Sequence, residues 1–153
     1  NNLPLPLPFM GWLSWHSVEG DVSEVIVKSV TDMFKANGLF EAVWNTIMMD
    51  DLWQARQRAD NGKPLPDPKL FPNGLRPVAD YVHSKGMKFG LYTDAADKTC
   101  AGAFGSYGYD RIDAEQYTQW NVDIVKCDYC HAPTERDSAI VRYRRLGDAF
   151  KAV

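Results

Sequence analysis

The sequence predicts an α/β fold built on a parallel sheet. Four short apolar or aromatic runs, Phe9–Trp15, Thr46–Asp50, Lys88–Thr93 and Val122–Asp128, are each followed by a stretch with helical spacing. Strands and helices in strict alternation make parallel pairs through right-handed crossovers. The long polar segments all follow strands and none precedes one, which is how such sheets lay out their sites. Two architectures meet these conditions. One is a small doubly wound domain. The other is the first half of a (β/α)8 barrel, which needs about 250 residues when complete.

The elements follow in order. Leu3 to Pro8 alternates leucine with proline and reads as a polyproline lead-in over residues 1–8, ahead of one domain from 9 to 153. Phe9–Trp15 is an aromatic strand. Asp21, with Glu24 three residues on, has the pattern of a capping box. Val22, Val25, Ile26, Val30, Met33 and Phe34 then form a helical stripe that Gly38 ends. Thr46–Asp50 is a buried strand running into a pair of acids. A polar, proline-rich loop covers Arg56–Asn73. Leu75, Val78, Ala79 and Val82 mark a second helix, closed by Gly86. Lys88–Thr93 is the third strand, and Gly102–Gly108 a glycine-rich loop. Asp113 and Gln116 predict a capped third helix ending near Trp120. After the fourth strand, Ser138–Val153 is a helix with Ile140, Val141, Tyr143, Leu146 and Phe150 for its inner face.

Composition removes several function classes. The chain is 45% hydrophobic and 24% charged, ordinary for a globular domain. A net charge of −3 without a basic block gives no footprint for nucleic acid. No apolar run reaches membrane-spanning length, and no signal peptide is evident. His16, His83 and His131 are scattered, with no two at metal-ligand spacing, so no zinc site and no cofactor are expected.

The most informative stretch is Lys126-Cys127-Asp128-Tyr129-Cys130. Strand alternation turns Lys126 and Asp128 to one side and Cys127 to the other. An ammonium beside a carboxylate at the C-terminal tip of a parallel strand fits an ionised nucleophile, and equally a structural ion pair. The other strand tips and following loops carry Trp15, Asp50, Asp51, Trp53, Tyr92, Asp94, Phe104, Tyr107 and Tyr109. Aromatic faces suit the C–H patches of a sugar, and paired acids suit its vicinal hydroxyls. Trp12 and Trp15 also suit a core, and Asp50-Asp51 also suits a helix cap or a Mg²⁺ site. Of the three cysteines, Cys127 should be a small buried hydrophobe facing the helices. Cys100 and Cys130 both follow strand ends; they either pair or stay as two thiols in a reducing compartment.

Taken together, six ordered motifs resemble one family. They are Met10-Gly11-Trp12-Leu13-Ser14-Trp15; Asp50-Asp51-Leu52-Trp53-Gln54; Pro66 to Leu75 (PDPKLFPNGL); Tyr81 to Tyr92 (YVHSKGMKFGLY); Lys98-Thr99-Cys100-Ala101-Gly102; and Lys126 to Cys130. The chain, from about Phe9 to Val153, looks like the N-terminal half of the melibiase-type α-galactosidases, glycoside hydrolase family 27. That resemblance implies a (β/α)8 barrel, here its first four βα units, and retaining cleavage of terminal α-galactosides. It implies that Asp128 is the nucleophile and that Lys126 binds sugar hydroxyls and keeps Asp128 ionised. Asp50 and Asp51 would hold the O4 and O6 side of galactose, Trp15 would pack on the sugar, and Tyr92 would wall the pocket. Cys100 and Cys130 would form the family disulfide bordering that pocket, which favours an oxidising compartment.

The chain departs from the family in three ways. A second bridge common in relatives would place cysteines near Gly20 and at Leu52, and both are absent. Cys127 stands where an aromatic often precedes the nucleophile. The family's general acid/base lies beyond the fourth unit, so these residues are expected to hold half an active site and to be inactive alone. A half barrel leaves strand edges open, which favours pairing with another copy. Secretion or a periplasmic location is expected; the lack of an Asn-x-Ser/Thr sequon disfavours a lysosomal enzyme. The alternatives are an α-N-acetylgalactosaminidase of the same family, a non-catalytic galactose-binding module, and a doubly wound Mg²⁺ or phosphoacceptor domain.

Overall fold

A computed structural model describes residues 8–153, so the proline-rich lead-in lies outside the described residues except for Pro8. The elements are β1 (Gly11–Leu13), α1 (Trp15–Val18), a short 3-10 turn (Glu19–Asp21), α2 (Glu24–Ala36), β2 (Thr46–Met48), α3 (Arg76–Ser84), β3 (Lys88–Asp94), α4 (Asp110–Gln119), β4 (Ile124–Asp128) and α5 (Arg136–Lys151). All neighbouring strands pair in parallel, in the order β1-β2-β3-β4. A doubly wound sheet reverses its order at a switch point. Here the order never reverses, so each crossover steps the same way and the helices share one face. The fold is therefore a partial (β/α)8 barrel.

The period-2 alternation of the strands sorts side chains to two faces. Ile47, Met49, Phe89 and Leu91 point outward and are fully buried against Val27 of α2, Val78, Ala79 and Val82 of α3, and Tyr117 of α4. The concave face carries Gly11, Met48, Gly90 and Ile124. Gly90 leaves room for the Met48 side chain: a Cβ would stand 2.9 Å from Met48 Cγ and 3.0 Å from its Cβ. That concave face opens into an apolar cavity of about 220 Å³ beside Leu13, Met48 and Ile124.

Several boundaries differ from expectation, each for a local reason. β1 is shorter than Phe9–Trp15, because the Ser14 carbonyl accepts from the Ser17 and Val18 amides and turns the chain. Trp15 therefore opens α1 rather than ending a strand. Asp21 does not cap α2. Ser23 does, its hydroxyl accepting from Ile26 N at 3.4 Å, a bond worth about 1 kcal/mol. Glu24 binds Lys28 and Asn73 instead, tying α2 to the β2–α3 loop. α4 starts at Asp110, three residues before the expected cap, and Asp113 turns inward. β2 and β4 are trimmed at their ends, β3 gains Asp94, and α5 begins at Arg136.

Candidate active site

The C-terminal strand tips converge on one cavity of about 320 Å³, lined by Trp15, Asp50, Asp51, Tyr92, Cys100, Ala101, Lys126 and Asp128. Asp50 and Asp51 leave β2 almost wholly buried, at 4% and 2% exposure. Backbone and side-chain bonds fix them. The Asp50 amide donates to Ser14 Oγ, and the Asp50 carboxylate accepts from the Asp51 amide. Asp51 accepts from the amides of Leu52 and, across the site, Ala101, at 2.8 Å each. Lys126, pointing inward from β4, donates to Asp50 Oδ2 at 2.7 Å and stands 3.7 Å from Asp128 Oδ2. The sequence had set Lys126 chiefly beside Asp128; its closer partner is Asp50. Its ammonium also lies 5.1 Å from the Tyr92 ring centroid.

Asp128 differs from the other acids. Its side chain is 38% exposed. Among the described residues, no N–H or O–H donates a hydrogen bond to its carboxylate; its near neighbours are Lys126 Nζ and Cys100 Sγ, the latter at 3.6 Å. The backbone beneath is held firmly. Asp94 and Asp128 stand opposite each other in the β3–β4 register, and the Ala95 amide donates to the Asp128 carbonyl.

Cys100 and Cys130 are joined as a disulfide, with Cα atoms 5.0 Å apart. Cys100 lines the cavity, whereas Cys130, expected to line it too, is bonded to Cys100 and is not among the lining residues. Tyr92 donates its hydroxyl toward Cys100 Sγ at 3.3 Å. Burial, reinforced by the charges of Asp51 and Asp128, pushes the Tyr92 phenol far up, so it remains a neutral donor. Asp94, Cys100 and Cys130 bring three ligand-type atoms within 4.8 Å of one another. The two sulfurs are bonded to each other, which leaves Asp94 alone as a donor for a metal.

Other expected rim groups lie elsewhere. Trp53 is fully buried; its indole N–H donates to the Tyr92 carbonyl, and its ring packs edge-on to Phe104, Tyr117 and Trp120. Tyr107 is covered by the guanidinium of Arg142, and Tyr109 by that of Arg58. Of the two N-terminal tryptophans, Trp12 packs against the core while Trp15 lines the cavity. Cys127 faces the helices as the alternation requires, and burial pushes its thiol up to about 12. Sequence reasoning placed Asp94 among the rim acids without a role of its own. It is fully buried and accepts from the amides of Ala96 and Cys130, at 2.9 Å each. Its position at the end of an apolar strand, two residues after Tyr92, was the available signal.

A family model described as alpha galactosidase A, of the melibiase type, matches residues 7–153. The chain belongs to the melibiase family of α-galactosidases. Within this glycoside hydrolase family it is 39% identical to human alpha-galactosidase A over 134 residues, 81% of this chain and 31% of that one. It is 42% identical to the alpha-galactosidase A of Cellvibrio japonicus over 123 residues, 80% of this chain and 30% of that one. The solved α-galactosidase of Saccharomyces cerevisiae superimposes with a TM-score of 0.91 at 33% identity, covering 95% of this chain and 32% of that one. An α-galactosidase from the same yeast has also been solved with raffinose. The chain thus spans about a third of the length of the melibiase relatives it matches. The barrel fold of the family agrees with the strand order found here.

Proposed function

We propose that this chain carries the nucleophile half of a retaining α-galactosidase, which cleaves terminal α-D-galactosides through a covalent glycosyl-enzyme on Asp128. One observation carries the assignment of the nucleophile. Three carboxylates line one cavity, and Asp50 and Asp51 are committed to backbone amides and to Lys126. Asp128 alone is half-exposed and accepts no hydrogen bond from an N–H or O–H among the described residues, with the Lys126 ammonium 3.7 Å away. A nucleophile must present a lone pair, and a carboxylate already bonded to two amides has less to present.

The other groups take complementary roles. Asp50 and Asp51, immobile and acceptor-rich, bind the hydroxyls on the O4 and O6 side of galactose. Lys126 bridges Asp50 and Asp128, so a hydroxyl bound there feels both the sugar pocket and the reacting carboxylate. Trp15 offers a face to the sugar, and Tyr92 and the Cys100–Cys130 bridge wall the pocket. Retention needs a second carboxyl about 5–5.5 Å from the first across the scissile bond. The bonded state of Asp50 and Asp51 suits ligands rather than a proton donor, so the acid/base belongs to barrel units after β4 in the parent enzyme. The disulfide supports an oxidising compartment, secreted or periplasmic.

The test treats the full-length parent with a fluorinated α-galactosyl fluoride that accumulates the glycosyl-enzyme, followed by peptide mapping. A label on Asp128 is expected. A label on another carboxylate, or none in a protein that still binds galactose, overturns the assignment and favours a sugar-binding module.

A further inference from the structure

Around the Cys100–Cys130 bridge, Asp94 and the two cysteines bring three ligand-type atoms within 4.8 Å of one another. Asp94 Oδ2 stands 3.8 Å from Cys100 Sγ. Zn²⁺ holds a thiolate sulfur at about 2.3 Å and a carboxylate oxygen at about 2.1 Å, so those two ligands on a tetrahedral ion stand about 3.6 Å apart. The oxygen and the sulfur are thus already close to the spacing of two ligands on one ion. The S–S bond is what keeps the cluster from acting as a metal site. Two thiolates on one Zn²⁺ stand about 3.8 Å apart, a spacing that side-chain rotation reaches from Cα atoms 5.0 Å apart.

The three donors keep their places without the bridge. Asp94 is held by the amides of Ala96 and Cys130, at 2.9 Å each, and the bond from Cys130 N also fixes that cysteine's backbone. On the other side, Thr99 N donates to the Ala103 carbonyl, Gly102 N to the Thr99 carbonyl and Ala103 N to Thr99 Oγ1. Ala101 N donates to Asp51. Opening the bridge therefore leaves two thiols on braced backbone beside a buried carboxylate. Cys100 is exposed and faces the cavity, so a reductant and an ion both reach it. Two thiolates and one carboxylate select Zn²⁺ over Mg²⁺ or Ca²⁺, which need several oxygen ligands. Asp128 Oδ2 lies 3.6 Å from Cys100 Sγ. An ion on that sulfur sits against the carboxylate assigned as nucleophile and occupies the lone pair it must present.

We propose that reduction of the Cys100–Cys130 bridge by a dithiol converts this wall into a Zn²⁺ site made by Asp94, Cys100 and Cys130, and that the bound ion shuts the active site. In the exchange, two electrons and the dithiol's two thiol hydrogens pass to Cys100 and Cys130, and the dithiol leaves as a disulfide. Zn²⁺ then displaces both cysteine thiol protons to solvent. The inhibition rests on the galactosidase reading; the metal site does not. For the test, the full-length parent is reduced with a phosphine, which one water converts to the phosphine oxide, and is freed of it by gel filtration without air. Co²⁺ is then titrated as a spectroscopic substitute for Zn²⁺. A single Co²⁺ per chain is expected, with thiolate charge-transfer and tetrahedral d–d bands, bound about 100-fold more tightly than by the oxidised parent. Hydrolysis should survive reduction, be lost on loading with Zn²⁺ and return with a chelator. Absence of the bands in the reduced protein overturns the site. Equal bands after alkylation of Cys100 and Cys130, a control that needs no variant to fold, place the ion elsewhere and overturn it as well. Asp94→Ala should weaken Co²⁺ about 10-fold; unchanged affinity overturns the three-donor site. Hydrolysis lost on reduction alone, before metal is added, overturns the switch, because the bridge then serves only the fold. Bands that develop on reduction in a parent that cleaves no galactoside uphold the metal site and remove the galactosidase reading.

Discussion

Asp94 governs three things through one carboxylate. It accepts from Ala96 N and Cys130 N, it stands opposite Asp128 in register, and its Oδ2 lies 3.8 Å from Cys100 Sγ. Asp94→Asn replaces one acceptor by an NH2 that must face one of those amides, donor against donor. The expected result in the parent enzyme is a loss of about 10- to 100-fold in kcat with a smaller change in KM, since Asp50 and Asp51 are untouched. Steady-state kinetics on an aryl α-galactoside reads both. The variant also carries a pH signature. Burial holds the Asp94 carboxyl above its ordinary value, so between those two values the folded protein binds more protons than the unfolded chain. Stability from this group is therefore present at low pH and lost as pH rises through the raised value. An asparagine lacks that step. The stability deficit of Asp94→Asn should be largest near pH 4 and shrink as pH rises, measured by urea midpoints; a deficit independent of pH would refute it. At this scale the sequence was legible where one strand's alternation decides the outcome, as for Lys126, Cys127 and Asp128. It was not legible where the partner is distant, as for Asp94, whose second amide comes from 36 residues away.

Among the elements, the β2–α3 loop owes its shape to Arg58. Its guanidinium makes two bonds to Asp113, at 2.5 and 2.7 Å, and donates to the carbonyls of Gly62 and Gly105. The Phe104 and Tyr109 rings cover it, at 4.5 and 4.2 Å. Asp113 in turn accepts from Ser106, whose hydroxyl meets Thr93 on β3. This chain of bonds fastens a long loop, the start of α4 and the strand carrying Tyr92 into one block. It also explains the misread start of α4: Asp113 and Gln116 have the spacing of a cap, but Asp113 is taken by an arginine 55 positions earlier. Local pattern cannot anticipate that, just as the loop position of Trp53 could not reveal its three aromatic neighbours. Arg58→Met keeps the stem and leaves Asp113 buried and unpaired. Breaking one side of such a pair should destabilise by about 3–5 kcal/mol, seen as a lower denaturant midpoint. A loss below about 1 kcal/mol would mean that the pair behaves like an exposed one.

For the whole molecule, the telling feature is how the two sides of the sheet are braced. The Cys100–Cys130 bridge encloses 30 positions of chain, which in the chain-entropy model is worth about 3–4 kcal/mol, and it braces only the β3–β4 side. On the β1–β2 side, the two positions where relatives were expected to carry a further bridge meet in space. A Cβ placed on Gly20 would stand 3.5 Å from Leu52 Cβ and 2.6 Å from Leu52 Cδ1. The glycine makes room for the leucine side chain. The Cβ–Cβ separation lies at the short end of the disulfide range, and Leu52→Cys removes the crowding Cδ1. The double variant Gly20→Cys, Leu52→Cys should therefore close spontaneously under oxidising refolding and raise stability, by at most about 3–4 kcal/mol for a loop of this size. Leu52 has φ +71°, a left-handed conformation disfavoured for any residue with a Cβ. The bridge inherits that constraint unchanged, because cysteine, like leucine, carries a Cβ. Mass spectrometry of the non-reduced peptides and paired urea titrations with and without reductant decide the matter. Two free thiols after oxidation would show that positions 20 and 52 do not hold this approach in solution. A bridge that forms without raising the midpoint would show that leucine packing already braces this edge as well as a covalent bond does.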